Sequence, residues 1–174
     1  MTLIKRYISK VGLSILMLSL WGCHVNYSFT GASIPIQAKT FTVKPFVNMA
    51  PTVNPTLAHT MTDGLHEKIM SATSLVSNSF DADMAFEGII TGYNLRPVAL
   101  QGGETTVAAK NRLTITIKVK FENRYEPKLN YDTNFTQYAE FDSNMDFSAI
   151  EQSLAEEIAD KLTEDIFNKA LVNW

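Results

Sequence analysis

A single cysteine, Cys23, stands in 174 residues, so no intramolecular disulfide can form and stability must come from packing. Basic excess is missing too: fifteen Lys and Arg stand against eighteen Asp and Glu. That balance argues against nucleic-acid binding, which asks for a cationic face. There is no internal repeat, no low-complexity tract, no Gly-x-Gly-x-x-Gly, no phosphate-binding loop and no Gly-x-Ser-x-Gly turn. The one glycine pair in a polar stretch, "QGGETT" at 101–106, lacks the strand-to-helix setting of a phosphate cradle. No nucleophile can be paired with a base, so neither an enzyme nor a cofactor is expected.

The longest apolar run is Val11–Leu20, ten residues, against the roughly 20 needed to cross a bilayer. It follows Lys5, Arg6 and Lys10 with no acidic residue before it, the layout of a secretory signal. "LWGC", Leu20–Cys23, resembles the bacterial lipobox: Leu three positions before the cysteine and a small residue directly before it. Leu20 would be a poor −3 residue for ordinary signal cleavage. Residues 1–22 are therefore expected to be a lipoprotein signal peptide, with Cys23 the lipid attachment point and the membrane reached through that anchor. Three acyl chains would hold far more firmly than one, which binds only reversibly. Loss of Lys5, Arg6 and Lys10 leaves twelve basic against eighteen acidic residues, a net charge of −6.

Residues 23–39 read as a lipidated lead and 40–174 as one domain. Thr40–Phe46 suggests a short strand with Pro45 at its end. Asn54–Met70 reads as a helix, capped by Asn54 with Pro55 at its first turn and Leu57, Met61, Leu65 and Ile69 as its buried stripe. Asp83–Leu95 is strand-like, but both parities are apolar, which predicts burial on both faces or a bulge at Gly88 or Gly92. Residues 96–111 read as a polar loop. Leu113–Phe121 alternates cleanly, with odd residues for the core and Thr114, Thr116, Lys118 and Lys120 for water. Phe135–Phe141 is a further strand. A helix over 149–171 opens on a Ser148/Glu151 capping box. The order β-α-β-β-β-α predicts an α+β fold: two helices packed on one face of a four-stranded mixed sheet.

His59, Asp63 and His66 share a helix face, but the histidines would lie ~10 Å apart along the axis, so no metal site is expected. Glu156, Asp160 and Glu164 form an acidic face. Phe167, Leu171 and Trp174 form a second apolar stripe, either wrapped by the N-terminal lead or in contact with a partner. Arg96, Lys110 and Arg112 bracket the polar loop and are the candidate anion-binding group, since Arg grips phosphate in a fork.

Taken in order, the lipobox, "YSFTGASIP", "NPTLAHTMTDGL", "FEGIITGY", "NRLTITIKVKF" and "DIFNKALVNW" resemble the LptE lipopolysaccharide-assembly lipoproteins, in a divergent Bacteroides-type branch. The resemblance implies a lipid-anchored outer-membrane protein on the periplasmic face. It also implies a partner, the β-barrel LptD, which the domain plugs and helps to assemble, and a role in delivering lipopolysaccharide to the outer leaflet. His24 rather than Asp after Cys23 agrees with outer-membrane sorting. The alternative is a periplasmic lipoprotein scaffold that activates a peptidoglycan synthase. A third class, a lipid carrier, would need a deep apolar pocket.

Overall fold

A computed structural model describes residues 34–51, 54–98 and 109–172. Cys23, the signal segment, "QGGETT" and Trp174 lie outside them. The strands are β1 (Thr40–Val43), β2 (Val47–Asn48), β3 (Val76–Ser77), β4 (Met84–Val98), β5 (Lys110–Asn123) and β6 (Tyr131–Asp142). The helices are α1 (Leu57–Ala72) and α2 (Phe147–Leu171). The fold is α+β as expected, but the sheet has six strands rather than four, in the order β3-β1-β4-β5-β6 with β2 also on β4. Both additions are two-residue pieces with no length in which to show alternation.

β2 exists because of Pro45. Proline offers no N–H to a ladder, so the first strand breaks there. Its two halves pair in parallel with β4, Val43 opposite Phe86 and Val47 opposite Ile89. In the break Phe46 turns into the core, and its N–H donates to Thr62 Oγ1 of α1 at 3.0 Å. Phe46 then lies across Gly88, where any Cβ would collide with its ring.

The two-sided apolar pattern of β4 resolves as a bulge. Ile90 faces Ile117 but Gly92 faces Thr116, so Thr91 is the extra residue. Before it, Met84, Phe86 and Ile90 enter the core; after it the parity inverts and Tyr93 enters instead. The strand also runs on to Val98, so Arg96 and Pro97 belong to a long antiparallel hairpin rather than to a loop.

Both helices cover one face. Leu57, Met61, Leu65 and Ile69 of α1 are at most 1% exposed. Asn54 Oδ1 accepts from the N–H groups of Thr56 and Leu57 at 3.1 Å, so it caps the helix from two residues before the N-cap position, Thr56. The capping box of α2 does not form. Asp146 caps instead, accepting from the Ser148 N–H at 3.1 Å. Glu151 is diverted to the Tyr93 hydroxyl at 2.7 Å and Asn54 Nδ2 at 3.1 Å, which ties the start of α2 to β4 and to the α1 cap. Burial and the Glu151 carboxylate together raise the Tyr93 pKa far above its ordinary value. α2 buries two stripes because it touches both the sheet and α1. Gly64 of α1 faces Thr163 of α2 across this contact, where a Cβ would make only an ordinary contact, 3.4 Å from Thr163 Oγ1.

Candidate functional site on the open sheet face

The helix-free face of β4, β5 and β6 carries the even residues of β5 and their partners on β6. Register sets Arg112 beside Glu140, Thr114 beside Tyr138, Lys118 beside Asn134 and Lys120 beside Asp132. On the other side Arg96 stands directly opposite Arg112, and Val98 opposite Lys110. The hairpin therefore gathers all three expected cations at its far end.

Their surroundings differ. Arg112 Nε donates to Glu140 Oε1 at 3.0 Å, and its guanidinium lies 4.0 Å from the Tyr138 ring centre. It is thus positioned by a carboxylate and an aromatic face. Arg96 is exposed and has no carboxylate partner among the described residues. Lys110 lies across from Asp142 in the ladder. Two like charges facing each other across strands repel unless compensated; here Glu140 balances one guanidinium and leaves a net positive end. Arg96, Pro97, Val98, Arg112 and Thr114 line a shared hollow of about 290 Å³. An anionic group seated there would meet the uncompensated Arg96 and the edge of Arg112.

The other end of the face is electrically balanced. Lys44 pairs with Glu87, Lys118 with Asp132 at 3.0 Å and Lys120 with Glu122 at 2.8 Å. The Lys44 ammonium holds the Glu87 carboxyl below its usual pKa, and Glu122 raises that of Lys120. Between them Pro45, Val47, Gly88 and Ile89 floor a hollow of about 300 Å³. Sequence reasoning missed this hollow, because it depends on the broken β1–β2 strand. It also missed Glu140 and Tyr138, because the β5–β6 register does not follow from alternation alone.

The described part of the second apolar stripe of α2 is buried. Phe167 and Leu171 are 4% and 1% exposed and belong to the core, with Lys68 of α1 lying 5.3 Å from the Phe167 ring. Lys68 also pairs with Glu164, taking one residue out of the acidic face. Trp174, the third residue of the stripe, lies outside the described residues. His59 pairs with Asp63 at 3.1 Å while His66 meets Ser77 Oγ at 3.0 Å. Among the described residues no three His, Cys, Asp or Glu side chains converge as metal ligands. No described helix is long and apolar enough to cross a membrane.

Comparison with solved structures returns the same architecture. A minor lipoprotein from Acinetobacter baumannii aligns with 15% identity over 76% of this chain and 91% of its own, at a TM-score of 0.49. A hypothetical protein from Chlamydia trachomatis aligns with 10% identity over 78% and 98%, at a TM-score of 0.51. The second supports the fold alone. Among curated proteins none matches the sequence. The family profile described as "LptE: Lipopolysaccharide-assembly" matches residues 38–170, from just before β1 to the last turn of α2. The chain belongs to the LptE lipopolysaccharide-assembly family.

Proposed function

We propose that this protein is an outer-membrane lipoprotein, anchored through Cys23, that plugs and helps assemble the LptD β-barrel and assists transfer of lipopolysaccharide to the outer leaflet. The observation that carries the reading is the family match across residues 38–170. Its role is binding and support rather than catalysis. Within it, Arg96, Lys110 and Arg112 are the contact for lipopolysaccharide phosphates. Their gathering at one hairpin end supports this, with Arg96 as the leading group and Arg112 as the one already held in position.

The test has two parts. The protein purified from membranes should bring down one stoichiometric barrel partner; recovery of a cell-wall synthase in its place would favour the scaffold alternative. Replacing Arg96, Lys110 and Arg112 together by Ser should weaken lipopolysaccharide binding while leaving barrel capture intact. Arg96 is exposed, while Arg112 gives up its contacts to Glu140 and Tyr138, so the melting temperature should fall only modestly. Unchanged lipopolysaccharide binding would show that the contact lies elsewhere.

A further inference from the structure

The two ends of the sheet are unlike. β5 alone, with 14 residues, spans roughly 45 Å at ~3.4 Å per residue. One end carries the Arg96–Lys110–Arg112 group. At the other, the described chain begins at Ile34, eleven positions beyond Cys23. Three segments are hydrogen-bonded together there. The Val76 N–H donates to the Lys39 carbonyl at 2.9 Å, and the Asn78 N–H to the Phe41 carbonyl at 2.8 Å. The Lys39 N–H donates to Asp83 at 2.8 Å, and the Arg124 N–H to the Asp83 carbonyl at 2.9 Å. Arg124 also pairs with Asp81.

From this knot of loops the exposed apolar side chains project. Ile36 is 86% exposed, Val76 65%, Phe80 100% and Tyr125 44%. Single exposed apolar residues need no explanation, but four on three adjoining loops, one of them a wholly exposed Phe, form a patch. Lys39 and Lys128 lie beside it, exposed and without a carboxylate partner among the described residues. The same loops carry acidic groups, Asp81 paired with Arg124 and the exposed Glu126, so the apolar side chains carry the contact. Such side chains suit the bilayer interface, where rings sit at headgroup level and the two ammonium groups can meet lipid phosphates.

We propose that this tip rests on the surface of the bilayer that carries the anchor, with Ile36, Val76, Phe80 and Tyr125 entering the interface and Lys39 and Lys128 at its phosphates. The inference rests on reading the chain as a lipoprotein. Ten residues between Cys23 and Ile34 reach at most roughly 40 Å even when extended, so the end of the domain where the chain begins is held near the membrane. The hairpin end with Arg96 is then directed away from it.

The test uses the full-length protein isolated with its lipid, in vesicles of phosphatidylethanolamine with a minor fraction of phosphatidylglycerol, part of it brominated on the acyl chains. Phe80→Trp, in a Trp174→Phe background, reports on the tip; Leu95→Trp in the same background, at the far end, is the control. Brominated lipid should cut the emission of the Phe80→Trp variant roughly twofold and leave that of the Leu95→Trp variant unchanged, as expected for a ring at headgroup depth. The N-terminal mass is read on the same sample. An acylated Cys23 with an unquenched tip indole overturns the tip contact and leaves the lipoprotein reading standing. An unmodified Cys23 with an unquenched tip indole overturns both, while an unmodified Cys23 with quenching shows that the tip binds lipid by itself. Tip emission that is blue-shifted but unquenched would mean that a protein surface covers the tip, and would also overturn the proposal.

Discussion

Gly88 is the residue that makes room for the ring turned inward at the break in the first strand. Phe46 occupies the space a Cβ would take, and it is held there by its own N–H on Thr62. Gly88→Ala should destabilise the protein by about 1–3 kcal/mol, the usual cost of overpacking. Phe46→Leu should recover part of that loss, which a denaturant titration of single and double variants would show. Asp83 is the second such position. It accepts from the N–H groups of Lys39 and Thr40 and from Thr40 Oγ1, and returns its own N–H to Thr40 Oγ1. The Lys39 N–H is the main cause that holds the Asp83 carboxyl below its ordinary value near 3.8; burial opposes it and the Thr40 bonds assist. A depressed folded-state pKa means that this contribution is complete above the ordinary carboxylate range and fades as pH falls through the folded value. Asp83→Asn should therefore cost roughly 1–3 kcal/mol at neutral pH. The gap from wild type should narrow below about pH 4, as urea midpoints across a pH series would reveal.

At the scale of elements, the clean alternation of β5 makes a sharp expectation. Ile117 is fully buried, and Ile117→Ala should cost about 2–5 kcal/mol. Its neighbour Thr116 lies on the open face with only a 3.1 Å hydroxyl contact to Thr136, so Thr116→Ala should cost under about 1 kcal/mol. Equal losses in thermal melts of the two variants would mean that both faces are covered. This strand is legible because its period is regular and its two faces meet different environments. α1 is legible through Asn54 and the four-residue spacing of its apolar stripe. The rest depends on partners far away in sequence. Glu151 three residues after Ser148 is a local capping signal, yet Tyr93 and Asn54 claim its carboxylate. Arg96 beside Pro97 reads as loop, and only the ladder with Lys110–Arg112 extends the strand through it. Phe167 and Leu171 look surplus to one stripe because nothing in α2 itself says that α1 will pack on its second side. Of the site, the three cations are visible in the charge pattern alone, while Glu140 and Tyr138 require the β6 register.

For the whole molecule, the parallel pairing of β1 with β4 has a consequence in time. β4, β5 and β6 are successive antiparallel strands, each close in sequence to the next. β1 must instead wait for a partner: Thr40 and Asp83 are 43 residues apart. Contacts of low sequence separation form early and distant ones late, so the three-strand meander precedes the docking of β1, β2 and α1. Native-state hydrogen exchange should then show the slowest amides at the centre of β5 and faster ones in β1 and β2; the reverse ranking would contradict this order. β1, the described strand nearest Cys23 in sequence, is thus among the last to join the fold. On the lipoprotein reading proposed above, that late docking leaves the attachment point unconstrained by the sheet while the enzymes that process a lipoprotein signal act, even as the meander is already forming.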